Sequence, residues 1–588
     1  MSDEQAPVVV LQVDGGWWRF ANPVRVVIVE AAASVAAAIR EIERAVEAEG
    51  LYAAGYLSYE AGAAYDLATR APDPDAPPLL WFGLYRAAES VDAPASEAMY
   101  SFGDWRPSLS FEAYEAAIDR IKAAIAAGDT YQANYTFHLR SPFEGDPWAL
   151  FANLAAAQRA DYCAYVDLGR FTICSASPEL FFRRDGAMLT SRPMKGTAPR
   201  GLSSEDDRRQ VEWLRQSEKN RAENVMIVDM IRNDFGRIAR TGSVQVPALF
   251  TVERYPTLLQ MTSTVTAETD ASLSDILAAT FPCASITGAP KVSTMQIIHD
   301  LEPAPRGVYT GAIGFIAPGR RAQFNVAIRT AVIDRARGQA DYGVGSGVVW
   351  DSGAVSEYDE CLLKARVLYA RPEATADFRL LESLRWTPEE GYFLLARHLE
   401  RLRESAVYFN FGYDDAVAER ALTDFAAHLV EESKVRLLLD RRGRIEVEAR
   451  PLAKGASPDP LRVGLARKPV TTTDVRLYHK TTRRDVYDAA RASRPDCDDV
   501  ILWNERGELT EITIANLVLA IDGRHYTPPL SAGLLAGTMR AHMLACGEIE
   551  ERVLALSDLA RATGIWLINS VRGRQPAALQ PLQNGVTP

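Results

Sequence analysis

The sequence predicts two unlike domains, each built from both strands and helices. The chain has 588 residues, a length that corresponds to two to four domains. Short β-branched runs alternate with helical patterns in both halves, and a hydrophobic content of 47% is enough for large cores. Residues 371–378 have the composition of a linker between residues 1–370 and 379–588. No internal repeat relates the two halves, so we expect different folds.

Composition excludes several classes of protein. The net charge of −12 argues against nucleic-acid binding. No basic segment precedes an apolar one at the start, and no apolar run approaches ~18 residues, so we expect neither a signal peptide nor a membrane span. The six cysteines are scattered without a Cys-x-x-Cys pair. This pattern favours reduced thiols in a cytoplasmic protein over disulfides or a zinc site.

In chain order, the predicted elements of the first half include strands at 8–13 and 24–29 and helices at 31–50, 111–127 and 218–235. The third helix has Ser217 as its N-cap and Gly236 at C′. Apolar residues surround most of this helix, so we expect it to be buried, and its charged residues must then be paired or bind something. The predicted elements of the second half include an amphipathic helix at 392–408 and strands at 435–439, 445–447, 500–503 and 517–521.

Lys195 is the most informative residue of the first half. It lies between a Pro-Met pair and Gly196, which disfavours a regular helix and lets another molecule approach the backbone. The flanking Arg192 and Arg200 favour a neutral amine on Lys195, and a neutral amine is a nucleophile. The alternative is a basic surface loop.

Four other segments of the first half carry polar residues where a plain core would be apolar. They contain Gln132, Glu179, Glu223 and the helical stretch 356–364, in which Ser356 and Asp359 resemble a capping box and Glu357, Glu360 and Lys364 share one face. Carboxylates from two helices suit Mg²⁺, and the alternative is a buried salt-bridge network. Glycine-rich stretches at 286–291 and 342–347 expose backbone amides to an anion, and Arg329 offers a guanidinium group on a strand.

In this order, the segments resemble the chorismate-utilising enzymes, strongly over residues 111–370 and more weakly before. The resemblance implies a two-sheet α+β sandwich with the active site between the sheets. It also implies that Glu223 and Glu360 hold Mg²⁺ on the substrate and that Glu179 is the acid for the departing 4-hydroxyl. The residues expected to bind substrate are Gln132, Thr287, Gly288, Arg329, Gly345, Ser346, Gly347 and Lys364.

The residue types at two positions distinguish the reactions of this family. Family members that add water carry a lysine base where this chain has Gln132, and glutamine cannot deprotonate water, so ammonia is the expected nucleophile. Anthranilate synthases usually have alanine where this chain has Lys195. By resemblance, a lysine there marks the aminodeoxychorismate branch, in which the amine adds covalently to the ring before ammonia enters at C4.

The second half contains the parts that a pyridoxal phosphate site needs. A lysine, Lys480, lies at a predicted junction between a strand and a helix. A hairpin leads into a strand that carries Glu511 and Asn516, and Gly537-Thr538 opens a glycine-rich helix start. On the helix at 392–408, His398, Arg401 and Ser405 form a polar stripe, which by spacing alone is more often solvated than functional. For Lys480 the alternative is an exposed basic turn.

These segments resemble fold-type IV pyridoxal phosphate enzymes, which are α/β proteins that include aminodeoxychorismate lyase and the branched-chain and D-amino-acid aminotransferases. The resemblance implies that Lys480 is the Schiff-base lysine, Glu511 the partner of the pyridine nitrogen, and Arg401, Gly537 and Thr538 the cofactor-phosphate ligands. It does not separate a lyase from an aminotransferase, but the fusion to the first domain favours the lyase.

Together these resemblances imply a bifunctional route to 4-aminobenzoate for folate, from chorismate and ammonia through 4-amino-4-deoxychorismate. No glutaminase triad motif accompanies a cysteine, so a separate glutamine amidotransferase subunit is the expected partner. A homodimer through residues 379–588 is the candidate oligomer. One alternative is an anthranilate-type synthase fused to a true aminotransferase. The other is a synthase with a catalytically silent docking module.

Overall fold

The computed structural model describes residues 7–255, 258–369, 378–452 and 460–580. The chain divides into two compact units, Met1–Pro199 with Val211–Ala374 and Arg200–Gln210 with Thr375–Pro588. Residues 371–377 of the predicted linker lie outside the described residues, so that boundary stays a prediction. None of the helices that the structure describes has the length and apolar character needed to span a bilayer. All six cysteines carry free thiols.

Antiparallel strands dominate the first unit. They are β1 (Val8–Val13), β2 (Gly16–Ala21), β3 (Arg25–Val29), β4 (Tyr52–Leu57), β5 (Leu80–Tyr85), β6 (Glu89–Val91), β7 (Tyr100–Phe102), β8 (Arg106–Pro107), β9 (Gln132–Gly145), β10 (Tyr162–Asp167), β11 (Phe171–Ser177), β12 (Leu180–Asp185), β13 (Met188–Arg192), β14 (Met194–Pro199), β15 (Gln245–Arg254), β16 (Leu258–Glu268), β17 (Gly288–Ala289), β18 (Ala312–Ala317), β19 (Arg321–Val326), β20 (Thr330–Asp334) and β21 (Gln339–Val348).

The helices of this part of the chain are α1 (Val35–Glu49), α2 (Phe111–Ala127), α3 (Pro147–Gln158), α4 (Ser204–Gln216), α5 (Glu218–Gly236), α6 (Leu273–Thr280), α7 (Lys291–Leu301) and α8 (Ala354–Ala365). The predicted helix ends at Gly50 and Gly128 are confirmed, because both glycines have a left-handed backbone that closes the helix.

Two large sheets form the body of the first unit. One has the order β17-β9-β21-β20-β11-β10-β1-β2-β6, with β7 and β8 also paired with β9, and the other has the order β14-β16-β13-β12-β19-β18-β4-β5-β3, with β15 on β16. Val9 and Leu11 of the first sheet share a core with Tyr56 and Trp81 of the second, so one face of each sheet packs on the other. Helices α1, α5 and α6 pack on the second sheet, and α2, α3 and α8 on the first.

The structure corrects two predictions about helices. Ser217 does cap α5 by accepting a bond from the Asn220 amide, but Gly236 lies inside the helix and Arg237, in an ordinary helical conformation, is the C-cap. Only one face of α5 is buried, and Val225 on another face is 38% exposed. Ser356 does not form a capping box, because α8 begins at Ala354 and the Ser356 hydroxyl donates back to the Gly353 carbonyl at 2.9 Å.

The second unit contains a small sheet and a larger one. Its strands are β22 (Leu380–Thr387), β23 (Gly391–Tyr392), β24 (Ser433–Leu439), β25 (Ile445–Pro451), β26 (Leu461–Leu465), β27 (Asp499–Trp503), β28 (Leu509–Ile512), β29 (Ala515–Ile521), β30 (Arg524–Thr527), β31 (Glu550–Glu551), β32 (Gly564–Asn569) and β33 (Gly573–Leu579). Its helices are α9 (Leu395–Phe409), α10 (Asp415–Ala426), α11 (Asp485–Ala492), α12 (Thr538–Ala545) and α13 (Asp558–Arg561).

The small sheet has the order β23-β22-β24-β25, and the larger has the order β28-β27-β26-β33-β32-β29-β30-β31. A further pairing of β28 with β29 closes six strands of the larger sheet into a ring around an apolar core. The predicted single strand carrying Glu511 and Asn516 is wrong. A turn at Thr513-Ile514 separates β28 from β29, and it places the two residues directly opposite each other. The prediction of two mixed α/β domains is confirmed in these coarse terms.

Candidate active sites

Lys195 lies on a β-bulge rather than in a loop. Strand β14 pairs with β16 through Met194 opposite Thr262 and Thr197 opposite Gln260, so Lys195 and the residue after it face a single residue of the partner strand. Gly196 supplies the left-handed backbone of the bulge, with a φ of +93°. A bulge redirects the side chains of an edge strand, and here it leaves Lys195 lining a cavity of about 420 Å³.

Burial, not the flanking arginines, favours the neutral form of Lys195. Desolvation lowers the pKa of its amine, and Lys364 lowers it further, while Glu223 and Glu179 act in the opposite direction. Arg192, which we expected to have this effect, is held by Asp161 and Glu253 at 3.2 Å each. Arg200 is paired with Asp207 at 2.6 Å.

Glu179 and Arg329 lie where the chain passes between the two large sheets. Glu179 follows β11 of one sheet and precedes β12 of the other, and Arg329 lies between β19 and β20 in the same way. Burial raises the pKa of Glu179 to about 7, and one of its carboxylate oxygens has no hydrogen-bond partner among the described residues. Arg329 has a φ of +53°, an unusual backbone for a non-glycine residue and a common one at functional sites.

Most of the predicted substrate and metal residues line this one cavity. Those that do are Glu179, Lys195, Glu223, Arg329, Gly345, Gly347, Glu360 and Lys364. Gln132 adjoins it, because a Cβ built on Gly347 would collide with the Gln132 amide and lie 3.1 Å from the Lys195 Nζ. Gly347 therefore leaves the space that both side chains use.

The other predicted residues turn their side chains elsewhere. The Thr287 hydroxyl donates to the carbonyls of Cys283 and Ala284 at 3.2 Å, and Gly288 packs against the Gln132 backbone. The Ser346 hydroxyl lies 3.1 Å from that of Tyr114. None of these three residues belongs to the lining of the cavity.

The carboxylates of α5 and α8 fit a divalent cation in part. Burial, together with Glu357 and Glu360, raises the pKa of Glu223, so these acidic groups repel one another in the cavity. Lys364 lies 2.6 Å from Glu360 and holds its pKa below the ordinary value against the effect of burial. Among the described residues, no group of three or more acidic, His or Cys side chains is placed to hold a metal alone. Mg²⁺ would need oxygens from substrate or water, which it commonly uses.

Lys480 faces a second cavity, of about 270 Å³, in the second unit. The residue lies between a short 3-10 turn, Val475–Leu477, and α11, so the predicted strand before it is wrong. Burial lowers the pKa of Lys480 to about 8, and the positive charge of Arg401 contributes. The neutral fraction of the amine near pH 7 is therefore far larger than in a solvated lysine.

Glu511 lines the same cavity and is fixed by three donors. One carboxylate oxygen accepts from the Tyr487 hydroxyl at 2.8 Å and from the Leu535 amide at 3.1 Å, and the other accepts from Asn516 at 3.2 Å. Burial nevertheless raises the pKa of Glu511 to about 8. A cationic N–H partner such as a protonated pyridine would favour the charged form of Glu511 and lower this pKa.

The polar stripe of α9 is buried, contrary to its expected solvation. His398 Nδ1 lies 2.7 Å from Glu382, and Arg401 donates two bonds to the same carboxylate at 2.9 and 2.7 Å. Burial would raise the pKa of Glu382, but Arg401 and His398 lower it to about 2. Arg401 also donates to the Ala536 carbonyl at 2.9 Å, and His398 Nε2 lies 3.3 Å from the Thr538 hydroxyl. Glu382 thus holds both groups beside the amino end of α12, where a phosphate group would fit.

Sequence reasoning missed Glu382 and Tyr487. The signal for Glu382 was present, because it alternates with Leu380 and Leu384 on the core-facing side of β22. A carboxylate at such a position must be paired. Tyr487 on α11 had no comparable signal, since its partner Glu511 is brought to it only by the fold.

Comparison with known proteins matches two family models to the chain. Residues 9–370 match the model of the chorismate binding enzymes. The chain belongs to the chorismate-binding enzyme family. Residues 379–579 match the model of amino-transferase class IV. The two resemblances inferred from the sequence are therefore confirmed.

Relatives of the chorismate-binding domain include proteins named for two different reactions. Aminodeoxychorismate synthase component 1 of Salmonella typhimurium is 39% identical over 288 residues, which are 48% of this chain and 63% of that protein. Anthranilate synthase component 1 of Thermus thermophilus is 40% identical over 267 residues, 45% of this chain and 57% of that protein. The chain thus spans less than two thirds of the length of these relatives. Anthranilate synthase component I of Streptococcus pneumoniae shares the fold, with a TM-score of 0.51 at 23% identity over 63% of this chain and 93% of that one.

We predict that Glu360→Gln raises the Mg²⁺ concentration needed for half-maximal chorismate consumption by roughly 10-fold or more, because the amide keeps the shape but loses the charge. A Mg²⁺ titration of the reaction rate measures this. Asp359→Asn, an equivalent change at an exposed position of the same helix, should leave the titration unchanged. An unaltered Mg²⁺ dependence in Glu360→Gln would assign the residue to an ion pair with Lys364 alone.

We also predict that Glu382→Gln weakens binding of pyridoxal phosphate by about 10- to 100-fold, since Arg401 and His398 lose the charged acceptor that positions them. Binding of pyridoxal, which lacks the phosphate, should change little. Both affinities can be measured from the visible absorbance of the bound ligand, with Glu400→Gln on the exposed side of α9 as the matched control. An equal loss for both ligands would show that Glu382 serves general stability only.

Proposed function

We propose that the chain makes 4-aminobenzoate from chorismate and ammonia in two steps, one in each unit. The observation that carries the first step is the placement of Lys195 on a bulge, with its desolvated amine next to Gln132 and in the same cavity as Glu179. Gln132 cannot act as a base toward water, so ammonia is the nucleophile that this cavity supports.

In the first step, the Lys195 amine bonds to the ring, and the bond from C4 to its hydroxyl breaks. Glu179, whose pKa of about 7 keeps much of it protonated, gives its proton to the departing oxygen, which leaves as water. Ammonia then bonds to C4, the bond to Lys195 breaks, and the proton that the new C4 amine loses restores Glu179 to its acid form. Arg329 and Lys364 are placed to bind carboxylates of the substrate, and Glu223 and Glu360 would hold Mg²⁺, which neutralises substrate charge.

In the second step, the product 4-amino-4-deoxychorismate loses pyruvate. Lys480 takes the proton from C4, the bond between the ring and the enolpyruvyl oxygen breaks, and the leaving group gains a proton at its methylene carbon to become pyruvate. Pyridoxal phosphate, when bound, supplies an electron sink for the negative charge at C4. Arg401, Gly537 and Thr538 would hold its phosphate, and Glu511 would hold its pyridine nitrogen.

The ammonia would come from a separate glutamine amidotransferase subunit, which the name component 1 of the relatives supports. The cytoplasm and a homodimer through the second unit belong to the same proposal. A second candidate reaction is anthranilate synthesis, which the Thermus thermophilus relative favours. Lys195 argues against it, and release of 2-aminobenzoate from chorismate and ammonium would establish it.

We predict that Lys195→Ala lowers aminodeoxychorismate formation by roughly 10³-fold or more at saturating ammonium, because the variant lacks the nucleophile. The melting temperature should hardly change, since the side chain faces a cavity and not the core. Mass analysis of the products measures the rate, and Lys122→Ala, which removes an amine bonded to the Ser352 carbonyl, is the control. Full activity in Lys195→Ala would exclude a covalent role.

We predict that Lys480→Ala abolishes the visible absorbance of bound pyridoxal phosphate but leaves chorismate consumption intact, because the first step needs no such cofactor. The variant should accumulate 4-amino-4-deoxychorismate, and an added independent lyase should restore 4-aminobenzoate. Lys468→Ala, at an exposed position, should behave like the unmodified chain. Pyruvate release at the normal rate by Lys480→Ala would show that the second unit is not the lyase.

A further inference from the structure

The cavity at Lys480 has a strong excess of positive charge. Seven lysine and arginine side chains line it among the described residues, against one acidic side chain, Glu511. Three of these cations are neutralised by acids outside the lining: Arg401 by Glu382, Arg436 by Glu448 and Arg483 by Asp485. Lys480 is needed for the chemistry. Within the described ranges, Lys434, Arg484 and Arg572 remain without an ion pair to an acid.

The small sheet brings further positive charge to Lys434. In the register of β22, β24 and β25, Lys434 lies directly between Arg385 and Arg450. Directly opposed residues share a face of the sheet, and like charges in such positions destabilise it. At the next positions on this face of the sheet, a cation is paired with an acid. Arg436 lies between Ser383 and Glu448 and forms an ion pair with Glu448. The row of three cations has no such acid.

Arginines on other strands and loops also affect the pKa of Lys434. Lys434 is an exposed residue, but partial desolvation of its amine lowers its pKa. Repulsion by Arg436 and Arg572, and more weakly by Arg450 and Arg484, lowers it further. Arg484 stacks on the Tyr487 ring, 4.9 Å from its centroid, and donates to the Thr513 carbonyl, so its position is fixed. A cluster of cations that repel one another is typical of a binding site for an anion with more than one charge.

We propose that Lys434, Arg484 and Arg572 form a carboxylate-binding wall that selects a dicarboxylate substrate in this cavity. The inference rests on the proposed function, in which the second unit acts on a molecule with two carboxylates. A cofactor phosphate would be held by Arg401 and the amino end of α12, which leaves these three cations for the substrate. A branched-chain amino acid has one carboxylate and an apolar side chain, so it would leave some of these cations without a partner.

The test compares ligands that carry carboxylates but cannot react through an amine. The full chain is loaded with pyridoxal phosphate, and its visible absorbance is followed during titration with chorismate, a dicarboxylate, and with benzoate, a monocarboxylate. EDTA and the absence of ammonium prevent turnover in the first unit. We expect chorismate to bind more tightly than benzoate, and Lys434→Met to weaken chorismate binding by about 3- to 10-fold. Lys434→Arg should restore binding, and Lys468→Met should have no effect.

Two outcomes would contradict the proposed carboxylate-binding wall. One is chorismate affinity that is the same in Lys434→Met and the unmodified chain. The other is a loss of pyridoxal phosphate affinity that accounts for the whole effect, which would assign Lys434 to the cofactor phosphate. Pyruvate release from 4-amino-4-deoxychorismate is measured in parallel on the unmodified chain. If that release fails while the preference for chorismate over benzoate and its dependence on Lys434 hold, the proposed lyase reaction is wrong but the wall stands.

Discussion

Desolvation of a lysine amine is the constraint on which both candidate sites depend. A solvated lysine is almost fully protonated at neutral pH and cannot act as a nucleophile or base. Burial lowers the pKa of both Lys195 and Lys480, and in each case a neighbouring cation, Lys364 or Arg401, lowers it further. Each fold therefore has to keep a long polar side chain out of water without pairing it tightly with an acid.

The two units solve this problem with different backbone devices. In the first, the bulge at Lys195 and Gly196 turns an edge strand toward a cavity, and Gly347 leaves room for the amine because it has no Cβ. In the second, Lys480 lies in an irregular segment whose backbone is tied to the small sheet, since its carbonyl accepts a bond from the Leu381 amide at 3.0 Å. Both lysines lie on irregular backbone that a sheet holds in place.

The sequence was most informative where a residue type conflicts with its surroundings. A lysine before glycine, a carboxylate between apolar residues at Glu179, and a glycine-rich helix start at Gly537 each indicated a site residue, and the structure places all three at cavities or beside them. The elements themselves were also predictable, because the helix ends at Gly50 and Gly128 depend on local backbone preference.

What could not be predicted depends on contacts between segments far apart in the chain. The expected effect of Arg192 on Lys195 failed because Asp161 and Glu253, from other elements, neutralise that arginine. The polar stripe of α9 is buried because Glu382 of another strand accepts its bonds. A helical pattern gives the direction of a stripe but not the partner that covers it.

The two cavities also differ in their balance of acidic and basic side chains. The first is lined by four acidic side chains, Glu179, Glu223, Glu357 and Glu360, and by four basic ones, Lys195, Lys219, Arg329 and Lys364. Mg²⁺ held by Glu223 and Glu360 would add positive charge there for an anionic substrate. The second has one acid among many cations and can receive the same kind of anion directly. A reaction sequence in which both carboxylates persist through the first step and one leaves as pyruvate in the second is consistent with this contrast. Under the proposed function, Mg²⁺ in the first unit and the cations of the second would both interact with carboxylates of one shared intermediate.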